Sequence, residues 1–109
     1  MSVLSSAKGK VERVTLDWAN ITPTEVQAGT PIGADGQIHN DGSAKGLLMR
    51  TVNEPWDGTA EIITAGYVDK VEAQELSGLT LTNEAQCAMH DIHFAGVAGK
   101  VDSMVAVAG

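Results

Sequence analysis

Residues Thr59–Val71 read TAEIITAGYVDKV, the longest run of strand character in the chain. β-branched and aromatic side chains suit a pleated, half-buried surface, so this stretch is predicted to be the longest strand. Working upstream, Asn53–Gly58 (NEPWDG) reads as a loop, with Pro55 and an Asp-Gly turn dipeptide. Ala44–Val52 (AKGLLMRTV) is apolar enough for a buried strand. Asp35-Gly36 and Asp41-Gly42 are strong turn dipeptides and leave Gln37, Ile38 and His39 room for only a short strand. Residues 19–31 form a connection with one short extended piece around Glu25–Gln27. From Arg13 to Trp18 the pattern alternates. Val14, Leu16 and Trp18 point one way, while Arg13, Thr15 and Asp17 point the other. Downstream, Glu72–Leu76 reads as one helical turn ended by Ser77-Gly78. Thr82 or Asn83 then caps a helix running to about His90. Glu84 in its first turn and His90 in its last suit the helix dipole. Ala85, Ala88, Met89 and Ile92 line one face of that helix, and Ser103–Ala108 reads as a final strand. Strands with one short helix late in the chain predict a mainly β or α+β fold. A single domain over residues 14–109 is expected, preceded by a flexible, extended N-terminal arm over residues 1–13.

The chain has 109 residues, the size of one domain, and 43% of them are apolar. With four aromatics, the core must be built from aliphatic side chains and methionine. The formal net charge is −7, which argues against nucleic-acid binding. That charge is unevenly placed: Lys8, Lys10 and Arg13 lie in the first thirteen residues with Glu12 as their only acid. A slightly basic arm therefore precedes an acidic body. Such an arm is either simply solvated or docks on an acidic partner surface. The single cysteine, Cys87, excludes an intrachain disulfide and a Cys-based metal site. Met1–Lys10 lacks the apolar core of a signal peptide, and no apolar run is long enough to cross a bilayer. A soluble protein made in the cytoplasm, with no membrane partner, is expected.

Candidate reaction centres are each short of a partner. His90 and His93 share a face if a helix continues through them, and Asp91 lies between, so a small metal-binding protein is one reading. Zinc sites, however, require three or four protein ligands, and no recognised spacing adds Cys87 or His39. Cys87 with His90 lacks an orienting group and an oxyanion site. The acidic pairs Glu72 with Glu75 and Glu54 with Asp57 lack a cleft with aromatic platforms. Lys8-Gly9-Lys10 and Gly99-Lys100 have no phosphate-loop context. No catalytic residue, metal or cofactor is expected. Trp56, beside Pro55 in a turn, either folds back on the core or anchors a protein contact. A β-rich carbohydrate- or protein-binding module that uses Trp56 as its platform is a further reading.

Residues 28–48, AGTPIGADGQIHNDGSAKGLL, carry a family likeness. The step Gly29-Thr30-Pro31-Ile32 leads into the Asp35-Gly36 turn. Asn40-Asp41-Gly42 follows, then Ala44 and Gly46-Leu47-Leu48. Gly66-Tyr67-Val68 within the later strand, and Thr82–Ala95 after it, fall in matching order. In this the chain resembles the bacteriophage head decoration (cement) proteins of the lambda type and related head-fibre proteins. The likeness covers about residues 28–98; the first 27 residues and the C-terminal SMVAVAG lie outside it.

The resemblance implies a compact β-rich fold, a short helix near the C-terminus and a mobile N-terminal arm. It implies a virion structural protein, made in the host cytoplasm and bound to the outside of the expanded capsid. There it would act as a homotrimer at local three-fold sites on the major capsid (coat) protein. The arm would dock by adding a strand to a coat-protein sheet edge. Val3, Leu4, Lys8, Lys10, Val11, Arg13 and Val14 are the expected capsid-binding residues, with Pro55 and Trp56 as a further interface.

Overall fold

In the computed structural model, which describes residues 3–21, 24–53 and 58–95, strands predominate and two short helices follow the longest of them. The strands are β1 (Lys8–Thr15), β2 (Glu25–Val26), β3 (Pro31–Gly33), β4 (Ala44–Leu48), β5 (Val52–Asn53), β6 (Thr59–Asp69) and β7 (Ile92–Ala95). Helices α1 (Lys70–Ser77) and α2 (Asn83–Ala88) lie between β6 and β7, and a 3-10 turn spans Trp18–Asn20. The β-rich expectation therefore holds, with two helices where one helix and a single turn were expected.

The main sheet is organised around β6, as its length and composition predict. β1 pairs antiparallel along one flank, from Lys8 opposite Tyr67 to Thr15 opposite Thr59. On the other flank β4 pairs antiparallel, with Leu47 opposite Ile63 and Leu48 opposite Ile62, and β3 lies beyond it. Further along that flank β7 pairs with β6 in parallel, Gly66 opposite Ile92 to Asp69 opposite Ala95. Parallel pairing needs a crossover, and α1 and α2 supply it. A second, two-stranded sheet joins β2 and β5.

Both faces of the main sheet are covered. Ala60 and Ile62 of β6 join Val14, Leu16, Val26, Ile32, Leu48 and Val52 in one apolar cluster. Ile63 and Val68 join Leu4, Leu47, Ala73, Ala85, Met89 and Ile92 in a second, the side on which the helices pack. Ile63 and Val68 are an odd number of positions apart, so strict alternation would send them to opposite faces. A bulge resolves this. The register steps from Lys10 opposite Ala65 to Val11 opposite Ile63, which leaves Thr64 unpaired and reverses the faces beyond it.

Local chemistry positions the helices. The Asp69 side chain accepts hydrogen bonds from the Val71 and Glu72 amides at the start of α1, and Gly78 closes its end. Thr82 Oγ1 accepts from the Ala85 amide at the start of α2. α2 ends at Ala88, two residues before the expected His90, because Met89 leaves helical geometry.

The expected arm over residues 1–13 is corrected. Leu4 is 1% exposed in the helix-side cluster, and its amide donates to the Met49 carbonyl at 2.8 Å. Ser5 Oγ and the Ser6 amide donate to the Glu72 carboxylate at 2.6 and 2.9 Å, while Ser6 Oγ accepts from the Asp69 amide. Lys8–Arg13 belong to β1. The segment is held because Leu4 is buried in one apolar cluster with Ala73 of α1, and its serines satisfy polar groups at that helix's start. Residue 13 is thus inside a strand and is no domain boundary. The predicted strand Ser103–Ala108 lies outside the described residues.

Candidate interaction surface

β1 is an edge strand: β6 lies on one side and no described strand on the other. Lys8, Lys10, Val11 and Arg13 are exposed along it. Of the expected capsid-binding residues, Leu4 and Val14 are corrected, because both are buried in the two apolar clusters. Val3, 58% exposed, remains at the surface beside Arg50, with which it forms a bridge. Pro55 and Trp56 lie outside the described residues.

The cations of β1 are lightly engaged. Lys10 Nζ stands 3.6 Å from Glu12, and Arg13 Nη2 4.0 Å from Glu61. Their side chains are 69% and 71% exposed, so solvent screens both pairs and each contributes little. Glu12 is the acid that organises this end of the sheet. It accepts from Lys45 Nζ at 3.1 Å and from Thr64 Oγ1 at 3.0 Å. Hydrogen bonding from Lys45, then from Thr64, holds its carboxyl below the ordinary carboxylate value. Thr64 reaches it because the bulge leaves that residue out of the strand register. A polar groove of about 340 Å³ opens here, lined by Lys10, Glu12, Ser43, Lys45, Thr64 and Asp91 among others.

At the other end of β1, Lys8, Tyr67 and His93 stand side by side in register on β1, β6 and β7. Tyr67 is 45% exposed, and its ring centroid lies 5.9 Å from that of His93. With Val11, 40% exposed, these groups add apolar area to the cationic edge.

The structure separates the residues of the metal reading. His90 follows α2 and pairs weakly with Asp91, while His93 lies on β7 against Tyr67. The shared helical face is absent because α2 has already ended. Among the described residues no three His, Cys, Asp or Glu side chains cluster as metal ligands. Cys87 is an exposed free thiol. Glu72 holds the N-terminal segment: partial burial raises its pKa, but hydrogen bonds from Ser5 and Ser6 outweigh this and leave it below the ordinary value. Among the described residues no helix is long and apolar enough to cross a membrane.

One polar cluster was missed by sequence reasoning. His39 Nε2 lies 2.9 and 3.1 Å from the two Asp35 oxygens, and Nδ1 lies 3.7 Å from Asp41. The hydrogen bond to Asp35 raises the His39 pKa; burial opposes it, and the charges of Asp35 and Asp41 add to the rise. Next to it, Asn40 Oδ1 accepts from the Thr82 amide, and Asn40 Nδ2 donates to the Thr80 carbonyl. The loop between β3 and β4 is thereby tied to the start of α2. Asp-Gly spacing marked the turns, but nothing in it placed a histidine between two carboxylates.

Compared with family models, curated proteins and solved structures, the chain matches none.

Proposed function

We propose that the chain is a structural decoration protein of a phage head, bound to the outer surface of the expanded coat shell. The observation that carries this reading is a cationic edge strand on an acidic chain. Lys8, Lys10 and Arg13 line β1, whereas the whole chain carries a net charge of −7. Lysines on an edge disfavour pairing with apolar strands. They leave an acidic segment of the coat protein as the complementary occupant, which would extend the sheet. The turn pattern over residues 28–48 supports the same assignment. In this form of the proposal the docking element is the folded edge strand and not a loose arm. A homotrimer at local three-fold sites would multiply weak single contacts.

The test uses expanded heads stripped of this protein, titrated with the wild-type chain and with a Lys8→Glu/Lys10→Glu/Arg13→Glu variant. Glu25→Lys serves as a surface control. The triple variant is expected to keep its unfolding midpoint and lose binding by about a hundredfold, on the order of 1 kcal/mol per reversed charge. Wild-type binding should also weaken with added salt. Equal decoration by the folded triple variant would sink the reading.

A further inference from the structure

Asp35-Gly36 and Asp41-Gly42 are identical dipeptides in one loop, and both make the same local turn. Asp35 Oδ1 accepts from the Gln37 amide at 3.0 Å, and Asp41 Oδ1 accepts from the Ser43 amide at 2.8 Å. They differ in the freedom of the glycine that follows. The Gly36 amide donates to the Gly33 carbonyl at 3.0 Å, and its carbonyl accepts from the Asp17 amide at 3.1 Å. Gly36 has φ 80°, and a Cβ there would lie 2.0 Å from the Thr15 carbonyl oxygen. The Asp35 carboxylate is itself held by His39. Gly42, in contrast, is exposed, and its amide donates to no described residue. A Cβ at Gly42 would meet nothing within 4 Å.

We propose that Asp41 is a site of spontaneous backbone isomerisation to isoaspartate, and that the fold holds the equivalent Asp35 inert. In the closing step the Gly42 nitrogen attacks Cγ of the protonated Asp41 carboxyl. The N–Cγ bond forms, and the amide proton, relayed by solvent, passes to the carboxyl hydroxyl, which leaves as water. The resulting succinimide takes up one water. Attack at its main-chain carbonyl breaks that C–N bond, which leaves a free α-carboxylate and a chain running through the former side chain. Water leaves and returns, so no oxidant, reductant or enzyme is needed. Closure requires the glycine amide and the carboxyl to turn toward each other. Turning the Gly42 amide releases only the Asp41 carbonyl of the same peptide unit from the Ala44 amide (3.1 Å), whereas Gly36 must break one hydrogen bond at its amide and one at its carbonyl. The product inserts a methylene beside Asn40, whose side chain ties this loop to Thr80 and Thr82.

The experiment is prolonged incubation of the full chain at neutral pH, followed by peptide mapping and enzymatic methyl-labelling of isoaspartate. Position 41 is expected to exceed position 35 by about tenfold, because the one additional hydrogen bond to be broken at Gly36 adds on the order of 1.4 kcal/mol to the barrier. In concentrated urea the two positions should react alike. Gly42→Ala fits the open space and should suppress the product at 41 while the chain stays folded. Three results would each overturn the proposal: equal or greater isoaspartate at 35 in the native chain, product at 41 in urea alone, or an undiminished rate in the folded Gly42→Ala variant.

Discussion

Gly9 and Gly66 face each other across β1 and β6, both at positive φ (147° and 119°), and a Cβ on either would lie 2.7 Å from the other's Cα. The strands approach so closely that each virtual Cβ also overlaps a carbonyl oxygen, of Ala65 or of Lys8. The contact stands next to the bulge that reverses the faces of β6. Glycine is required on both sides because an L side chain is disfavoured at these angles and has no room.

Gly66→Ala is therefore expected to destabilise the protein by about 2–4 kcal/mol, combining backbone strain with overpacking. Urea unfolding measures this directly. A loss below ~0.5 kcal/mol would mean that the two strands separate freely at this point.

The N-terminal segment is expected to be part of the folding unit. Leu4→Ala should cost about 2–4 kcal/mol through loss of a fully buried side chain. Deletion of residues 1–13 removes most of β1 and exposes one flank of β6, so the truncated chain should lose its dispersed amide spectrum. A truncated chain that stays folded would restore the view of an independent arm.

The clasp between Ser5, Ser6 and Glu72 should weaken in acid. The Glu72 pKa in the folded protein lies below its ordinary value of 4.5. A depressed carboxyl contributes stability above the unfolded pKa, and that contribution is lost as pH falls through the folded value. The protection factor of the Ser6 amide, its exchange relative to the unfolded chain at the same pH, should thus fall below about pH 4.5, and Glu72→Gln should remove that fall while only modestly lowering protection at neutral pH. A Ser6 protection factor that does not change in acid in the wild type would contradict the assignment.

The His39 clamp should act with the opposite sign. Its folded pKa lies above the ordinary 6.5, so its contribution is complete below that value and is lost as pH rises through the raised pKa. Asp35 is depressed below 3.8, first by its hydrogen bond to His39 and next by that from the Gln37 amide, so the clamp also fails in strong acid. Proton NMR titration of the His39 ring should show the raised midpoint, and Asp35→Asn should bring it down. An unchanged midpoint in Asp35→Asn would exclude the pair as the cause.

Much of the architecture was legible from local pattern. The β-branched run of Thr59–Val71 became β6, the first part of Ala44–Val52 became β4 while Val52 went to β5 in the second sheet, and Thr82 capped α2 through its own side chain. Each of these depends on neighbours a few positions away, which a sequence displays. The expected arm failed for a different reason: MSVLSSAKG has no period, and Leu4 finds its place through Met49 and Ala73 of α1, far along the chain. The same holds for the candidate surface. Charge clustering in Lys8, Lys10 and Arg13 was visible at once, but their standing on a sheet edge was decided by β6, the one described strand that pairs with β1. By itself the sequence determined the strand-rich character, the turns and the separation of charge, because these follow from backbone preference and side-chain chemistry. The tertiary structure alone decided that the basic segment is folded, that Thr64 bulges toward Glu12, and that two identical Asp-Gly turns differ in freedom. Those outcomes depend on long-range packing and hydrogen bonding, which no local pattern encodes.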